Sequence, residues 1–374
     1  MRRRIFLLAV VALAGGALWI VSDLLSPYRA YSGNMLLVIE PGSPASQVAD
    51  LLVARGVLRH RLPFLARYWA GRPRHALRAG EYLFDRPLRP IDVCRKLVQG
   101  DIYLHPVVIP EGSDRFDIAR ILNLRLGIDP VQFFRVTQQA VAIRDLDPRA
   151  PSLEGYLFPD TYRFPRGVSA ATVVITMLAR FRNILATRFA NQRPPSPAGW
   201  HEVITLASLI EKETPEVSER PLIAGVFERR LERGMALQSD PTVVYAARLD
   251  HRAVGPIAQS DLEFDSPYNT YRHPGLPPGP ISSPGQVSIW AALHPADGDA
   301  LYFVADNRGG HVFARTLAEH QRNVSRYRRE AAALRRNEPG TVSGSSKPPA
   351  HEASKSAAQA QKRARNTQQE ASHP

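Results

Sequence analysis

The stretch LASLIEKETP, residues 206–215, places two carboxylates at the end of an apolar segment that a proline terminates. The spacing of its apolar residues predicts a helix over 201–213, with Pro215 just beyond its end. Burial disfavours a charged carboxylate, and the negative end of a helix dipole does the same. A carboxyl group in such a position tends to keep its proton, which is what general-acid cleavage of a glycosidic bond requires.

Helix geometry distinguishes the two acids. At about 100° per residue, the apolar face of this helix centres near Ile210. Glu213 lies roughly 60° from that centre, whereas Glu211 lies roughly 100° away on the opposite flank. Residues two positions apart do not face each other on a helix, so the two acids do not form a pair in one pocket. Glu213 is the better candidate for a catalytic acid and Glu211 an accessory one; the alternative is two solvated charges.

Composition leaves several classes of partner open. The chain has 374 residues, enough for two domains, with 44% hydrophobic residues and a net charge of +13. This charge favours an anionic partner, which could be nucleic acid, an anionic membrane leaflet or an anionic polymer. Cys94 is the only cysteine, which excludes an intramolecular disulfide and a zinc cluster built on cysteines.

The N-terminus predicts a membrane anchor over residues 1–25. Three arginines at 2–4 precede an apolar and glycine-containing run over 5–21. This run is long enough to cross most of a bilayer, and the arginines hold its start in the cytoplasm. A cleaved signal peptide is the alternative, but the apolar character continues past its candidate cleavage site at 12–14. Either reading places the body of the protein outside the cytoplasm, which argues against nucleic acid as a partner.

The rest of the chain divides into four parts. Residues 26–34 read as a linker, and 35–110 as a small α+β module with strands near 35–39, 80–84 and 102–109. A larger mixed α/β domain follows over 111–335, so the fold class is α+β overall. The tail at 336–374 has almost no large apolar residues and is predicted to be a disordered, basic segment. Helices are predicted near 45–55, 61–70, 90–100, 114–124, 130–140, 170–189, 201–213, 219–233 and 317–335, with a further strand at 301–305.

Four further segments combine aromatic, amide, hydroxyl and carboxylate side chains on turns that proline stiffens. They read EGYLFPDTY at 154–162, GMALQSDPTV at 234–243, YNTY at 268–271 and GLPPGPI at 275–281. Such side chains bind sugars, because aromatic rings stack on sugar faces and polar groups bond to hydroxyls. Each carboxylate could equally cap a helix or form a turn. The candidate substrate-binding or accessory residues are Glu154, Asp160, Gln238, Asp240, Tyr268, Asn269 and Tyr271.

Together with 206–215, these segments resemble the endolytic murein transglycosylase family, the YceG-like proteins. The resemblance covers roughly residues 5–330 and is dense from Glu154 onward. It implies a single-pass inner-membrane anchor with a cytoplasmic N-terminus, a LysM-like module and a periplasmic catalytic domain that acts on peptidoglycan glycan strands. The family's motif Gln-Thr-Asp-Pro-Thr reads QSDPT at 238–242 here, and the sequence departs from the commoner pattern around 272–273 and at Gln321.

The resemblance also implies a mechanism. The family's catalytic acid corresponds to Glu213, in agreement with the helix geometry. Glu213 would protonate the leaving oxygen between N-acetylmuramic acid and N-acetylglucosamine, and would then accept the proton of the muramoyl C6 hydroxyl as a 1,6-anhydro ring closes. One carboxyl serves both steps because the nucleophile belongs to the substrate. No metal or other cofactor is expected, since His294, His311 and His320 lack the spacing of ligands.

Three functions remain open from the sequence. The first is a lyase that cuts nascent strands internally and so terminates glycan elongation, with peptidoglycan synthases (penicillin-binding proteins) as candidate partners. The second is a non-catalytic scaffold that binds the cell wall, and the third is a hydrolase that uses water and a pair of carboxylates.

Overall fold

A computed structural model describes residues 2–71, 76–192, 194, 199–252, 255 and 257–337. Apart from the last two residues of its final helix, the tail predicted at 336–374 lies outside these residues. The chain separates into two compact units: unit 1 comprises Met1–Val107 and Arg163–Val168, and unit 2 comprises Val108–Tyr162 and the chain from Ser169 onward. Both contain helices and strands, which confirms the mixed helical and strand architecture.

Unit 1 is built on a two-stranded antiparallel sheet with three helices packed against it. Strand β1 pairs with β2 so that Met35 lies opposite Phe84 and Ile39 opposite Gly80. Leu37 and Ile39 alternate with exposed neighbours along β1 and reach a core that also contains Tyr82. The elements are α1 (Arg2–Leu25), β1 (Met35–Ile39), α2 (Ala45–Ala54), α3 (Arg61–Ala70), β2 (Gly80–Phe84), α4 (Pro90–Gln99) and β3 (His105–Val108).

The segment predicted as a linker, residues 26–34, is bonded to unit 1 along much of its length. Tyr28 forms an antiparallel bridge with Leu88, and the amide of Ala30 donates to the carbonyl of Gly56 at 2.9 Å. The hydroxyl of Tyr31 donates to the carbonyl of Arg86 at 3.1 Å. These bonds make 26–34 an ordered connection between α1 and β1.

Unit 2 surrounds one helix, α8, which is buried on almost every side. All residues of α8 from Val203 to Ile210 are buried, including Thr205 and Ser208. A helix that is apolar around its whole circumference belongs in a core. The elements of unit 2 are α5 (Arg115–Leu126), α6 (Pro130–Thr137), α7 (Ala170–Arg188), α8 (Trp200–Glu213), α9 (Arg220–Glu232), α10 (Asp240–Leu249), α11 (Gln259–Leu262), α12 (Gln286–Leu293), β5 (Tyr302–Ala305), β6 (His311–Ala314) and α13 (Leu317–Asn337), with β4 (Thr161–Phe164) at the boundary and two 3₁₀ turns at Ala140–Ile143 and Val217–Glu219.

Ser208, one of the two polar residues inside α8, holds the loop at 280–283 through its hydroxyl and its backbone carbonyl. The amide of Ile281 donates to Ser208 Oγ at 3.0 Å, and Ser282 Oγ donates to the carbonyl of Ser208 at 3.2 Å. Buried hydroxyls are tolerated only when they are hydrogen-bonded. The proline-rich motif at 275–281 is therefore attached directly to the helix that carries the two candidate acids.

The placement of the motif segments on turns was wrong for two of them. Asp240 is the first residue of α10, with Pro241 in the first turn, where a missing amide hydrogen costs nothing. Residues 161–162 belong to β4. Short elements of this kind, like α12 and β6, carry too few periodic positions to be recognised. The strand predicted at 102–109 is shortened to β3, because tertiary bonds rather than propensity decide where it begins.

Glycine 155 is expected to be essential for packing between two of the motifs. It has φ of +84°, and a Cβ added there would lie 2.4 Å from Pro280 Cβ and 3.2 Å from Ile204 Cγ2. We expect Gly155→Ala to lower the free energy of unfolding by about 2–4 kcal/mol through strain and overpacking. Thermal unfolding followed by circular dichroism measures this.

Gly127→Ala provides the matched control, since Gly127 has φ of +67° but no atom within 4 Å of an added Cβ. It should lower the melting temperature less than Gly155→Ala. Equal losses would contradict the close packing of Gly155 on Pro280.

Candidate active site

Glu213 is the last residue of α8, and its carboxylate is held by a neighbouring hydroxyl. Ser239 Oγ donates to Glu213 Oε1 at 2.5 Å. The next residue, Thr214, is buried and extended (φ −144°, ψ 136°), so the chain leaves the helix directly after the acid. Glu213 itself is half-buried. The carboxyl group therefore has one fixed oxygen and a surface accessible to a ligand.

A buried network of hydroxyl groups fixes the position of Ser239. The amide of Ser239 donates to Thr270 Oγ1 at 3.0 Å, and Thr242 Oγ1 donates to the carbonyl of Ser239 at 2.5 Å. The hydroxyls of Thr242 and Thr270 lie 2.9 Å apart. All three residues are at most 1 % exposed. The hydroxyl that meets Glu213 is thus preorganised by both the 234–243 and the 268–271 motifs.

Gln238 turns the backbone so that Ser239 can face the acid. Its φ of +51° is in the left-handed region, which residues other than glycine rarely adopt. The amide of Gln238 donates to the carbonyl of Thr270 at 3.1 Å, which holds this conformation. Backbone strain of this kind is frequent at functional sites. Gln238 is half-buried and directly precedes Ser239, which bonds to Glu213.

Arg230 provides a fixed positive charge close to the acid. Its guanidinium is buried, with Nε donating to the carbonyl of Leu301 at 2.7 Å and Nη1 to that of Leu237 at 2.8 Å. Burial lowers the pKa of Arg230, while electrostatic interactions with Tyr302, Tyr271 and Glu213 act in the opposite direction. Because its bonds go to backbone carbonyls, its charge remains unneutralised by a direct carboxylate contact among the described residues.

Asp240 and Tyr271 form a second hydrogen-bonded pair on the same side of α8. The hydroxyl of Tyr271 donates to Asp240 Oδ1, and Asp240 is only 2 % exposed. Burial, followed by the charge of Asp240, raises the pKa of Tyr271, so its phenol stays neutral. Two candidate residues from different motifs are therefore brought together here, close to Ser239 and Glu213.

Glu211 occupies a different environment from Glu213. Its carboxylate is an almost fully buried ion pair with Arg220 at 2.9 Å, and it accepts a bond from the amide of Gly285 at 2.9 Å. The contacts of Glu211 with Arg220 and with Gly285 tie α8 to α9 and to the start of α12. The side chain of Glu111 lies against the same Gly285 and is half-exposed, and burial together with the charge of Glu211 raises its pKa. Glu211 is thus an anchoring residue. Glu111 lies in the Pro110-Glu111-Gly112 pattern that contributes to the family resemblance, but the sequence did not predict it as a site residue.

Glu154 is also committed to the interior. It is 2 % exposed and accepts bonds from the amide of Arg115 and the hydroxyl of Tyr245, both at 3.0 Å. The guanidinium Nε of Arg115 lies 3.6 Å away. Burial raises the pKa of Glu154 to about 7, against the opposing effect of Arg115. These contacts join α5 and α10 to the 154–162 motif.

The remaining sequence candidates hold loops. Asp160 pairs with Arg180 at 2.7 Å and accepts from the amide of Thr161. Asn269 is fully buried, and its amide nitrogen donates to the carbonyls of Leu262 and Phe264. The side-chain oxygen of Asn269 accepts a hydrogen bond from the backbone amide of Tyr271. Both ends of the Asn269 side chain are therefore used inside the loop, and neither is free to contact a glycan.

Tyr268 is half-buried, with its ring 5.1 Å from that of Tyr245. Burial raises the pKa of Tyr268 to about 12, with the charge of Glu154 adding to this effect. Tyr268 therefore belongs to the Glu154 cluster and not to the Glu213 cluster.

Histidines and carboxylates do not form a metal site in the part of the chain that the structure describes. His311 instead pairs with Glu219 at 2.6 Å, and Glu219 accepts from Thr214 Oγ1 at 3.2 Å. These bonds join β6 to the residue that follows Glu213. The groups that the structure places at the Glu213 site are a carboxyl group, hydroxyls and a guanidinium.

Comparison with known proteins places this arrangement in a family. The YceG-like family matches residues 37–326. A curated relative from Bacillus subtilis, named endolytic murein transglycosylase, is 32% identical over 84% of this chain and 90% of its own length. A relative of the same name from Streptococcus pneumoniae is 32% identical over 82% of this chain, and the match spans 61% of that protein.

A solved structure agrees with these matches. The crystal structure of a yceG-like protein from Listeria monocytogenes has 30% sequence identity and a TM-score of 0.54, and it covers 77% of this chain and 98% of its own. The family match over residues 37–326 includes parts of both units and every candidate residue described above. The resemblance inferred from the sequence motifs is confirmed: the chain belongs to the YceG-like family.

Proposed function

We propose that this protein is an endolytic murein transglycosylase that cleaves the bond between N-acetylmuramic acid and N-acetylglucosamine and leaves 1,6-anhydro ends. The observation that carries the proposal is the single half-buried carboxyl of Glu213, held by Ser239, while Glu211 on the same helix is used in an ion pair. The names of the curated relatives support the same activity. Internal cleavage of nascent strands would terminate their elongation.

The geometry supports a mechanism with one carboxyl group. The hydroxyl of Ser239 occupies Oε1 of Glu213, which leaves Oε2 to carry the proton. Oε2 gives this proton to the glycosidic oxygen as the bond to the muramoyl C1 breaks. It then accepts the proton of the C6 hydroxyl while the C6 oxygen forms the new bond to C1. Atoms and charges balance without water, and Glu213 ends in its starting state.

Neighbouring groups support this cycle electrostatically. An oxocarbenium-like transition state develops positive charge at the sugar, and a carboxylate left by proton transfer balances it. Arg230 stabilises the anionic form of Glu213 from a fixed position, and the pair formed by Asp240 and Tyr271 adds negative charge on the same side. Gln238 and Tyr271 are the side chains that we assign to glycan contacts, because both are half-buried, Tyr271 interacts electrostatically with Glu213, and Gln238 adjoins Ser239 in the chain.

We also propose that α1 is a single membrane span, with its N-terminus in the cytoplasm and the body in the periplasm. The most apolar 18-residue stretch of α1 has a mean hydropathy of 2.5, and no residue of α1 is buried. A signal sequence would pass the same test. The only other helix of similar length and apolarity in the described part of the chain, α7, packs much of its surface into unit 2 and is a core helix. A LysM-like role for the small module and a penicillin-binding-protein partner remain predictions.

The assignment of the catalytic acid predicts different outcomes for the two glutamates of α8. Glu213→Gln should abolish release of muropeptides with 1,6-anhydro ends from purified peptidoglycan, because the amide cannot transfer the proton. Mass spectrometry of the released fragments measures this, and the melting temperature should stay close to that of the wild type. Release of fragments with reducing ends would indicate a hydrolase, and absence of release from the wild type a scaffold.

Glu211→Gln is the matched comparison. Removing one partner of a buried ion pair leaves Arg220 uncompensated and should lower the free energy of unfolding by about 3–5 kcal/mol. At a temperature where this variant stays folded, it should retain anhydro-product release. Loss of activity in folded Glu211→Gln, with activity kept in Glu213→Gln, would show that the two roles are reversed.

Ser239 is predicted to position the acid. Ser239→Ala removes a hydrogen bond to a charged group, worth about 1.5–3 kcal/mol, so the rate of anhydro-product formation should fall roughly 10- to 150-fold. Ser239→Thr keeps the hydroxyl and should restore most of the rate. Equal loss in both variants would show that the side-chain volume, and not the hydrogen bond, is what matters.

Glu154 is predicted to affect stability rather than catalysis. Its pKa in the folded state, about 7, is above the usual value of 4.5 for a glutamate, so the folded state retains the proton more strongly. Its contribution is therefore fully present below about pH 4.5 and is lost as the pH rises to about 7. Melting temperatures across this range should decline more for the wild type than for Glu154→Gln. An identical pH dependence of both proteins would contradict the assignment.

A further inference from the structure

Helix α3 of unit 1 carries an exposed apolar stripe that the fold does not use. Leu62 is 51 % exposed and Trp69 is 59 % exposed, and Ala66 lies between them along the helix. At about 100° per residue, these three side chains fall within a sector of roughly 60°. Phe64 is buried on the opposite side of α3, and Leu65 is buried roughly 70° from the centre of the stripe. The helix is therefore amphipathic with a second, outward-facing apolar surface.

The position of α3 relative to α1 is fixed by direct contacts. The rings of Trp19 and His60 lie 5.1 Å apart, and His60 is the N-cap of α3. His60 Nδ1 also lies 3.2 Å from Asp23 Oδ1. Along α1, every described residue up to Trp19 is exposed, whereas Ile20, Asp23 and Leu24 are partly covered. The last two turns of α1 therefore pack into unit 1.

This inference rests on the membrane span proposed above. Given that span, the contact between α1 and α3 fixes the depth of α3 in the bilayer. The apolar run at 5–21 has 17 residues, which is roughly 26 Å of helix. The hydrocarbon core is about 30 Å thick, so the whole run is needed to cross it. Trp19 then lies within about 3 Å of the outer end of the run. His60 and the first turn of α3 must lie at the same level.

The charges around the stripe agree with a headgroup environment. Arg59 and Arg61 flank Leu62 and are both exposed, and Arg67 is exposed on the polar side of α3. Arginine next to exposed leucine and tryptophan is typical of helices that lie in the interface of anionic membranes. Trp19 on α1 fits the aromatic belt at the same level.

We propose that α3 is an interfacial helix, which lies in the outer headgroup layer and inserts its Leu62–Ala66–Trp69 face into a bilayer containing anionic lipid. The span and this face together hold unit 1 against the membrane by two attachments. Unit 1 then cannot swing freely around the end of α1, because the connection at 26–34 is also hydrogen-bonded to it.

The test uses the full chain in vesicles of phosphatidylethanolamine and phosphatidylglycerol at 3:1, with a Cys94→Ala background. Single nitroxide labels are introduced through Leu62→Cys and Trp69→Cys, and their depth is measured by collisions with oxygen and a nickel chelate. Lipids labelled at known positions calibrate the depth. Leu13→Cys reports on the span, and Val38→Cys is the control, because Val38 is an exposed apolar residue of β1 in the same unit.

The proposal is supported if labels at 62 and 69 lie about 5–10 Å inside the headgroup boundary while the label at 38 stays in water. Labels at 62 and 69 in water, with position 13 in hydrocarbon, would overturn the proposal and leave the membrane span intact. Equal immersion of position 38 would overturn it as well, since α3 would not be selective. A label at 13 in water would instead show that the membrane anchoring itself has failed.

Discussion

The complete burial of α8 is the constraint on which the site depends. Because Val203 to Ile210 are enclosed on every side, this helix cannot rotate or shift without opening the core of unit 2. The two residues that emerge at its C-terminal end, Glu211 and Glu213, inherit this rigidity. Catalytic groups have to be held within fractions of an ångström of their productive geometry, and a core helix achieves this better than a loop.

The difference between the two acids follows from a rotation of about 200° along the same helix. One direction leads to Arg220 and the amide of Gly285, where the charge of Glu211 is neutralised and its oxygens are occupied. The other leads to Ser239, which occupies one oxygen of Glu213. The same helix therefore places its two carboxylates in different surroundings, as expected from the helical period alone. The catalytic role of Glu213 remains a proposal.

The sequence predicted the secondary-structure elements better than it predicted which side chains contact each other. Regular segments such as β1, α3 and β2 were correct to the residue, since their apolar periodicity and flanking turns are strong signals. Ser239 was noted as part of the motif at 238–242 but not as a partner of Glu213, and Arg230 was missed because an arginine among many has no distinguishing local pattern. Asn269 shows the converse: its chemistry suited a sugar contact, but its amide is used inside the loop. Side-chain partners that are distant in sequence are set by tertiary packing.

The motifs are conspicuous in the sequence because they interlock in the fold. Gly155 of the 154–162 motif leaves room for the side chain of Pro280 in the 275–281 motif. The hydroxyl of Thr270 in the 268–271 motif accepts a hydrogen bond from the amide of Ser239 in the 234–243 motif. Each motif is thus constrained by another, independently of any substrate contact. This packing accounts for part of the density of the motifs, because a substitution in one of them disturbs the next. If Glu213 is the catalytic acid, as proposed, its alignment with a glycan depends on these contacts, since Ser239 supplies the hydrogen bond to its carboxylate in the described part of the chain.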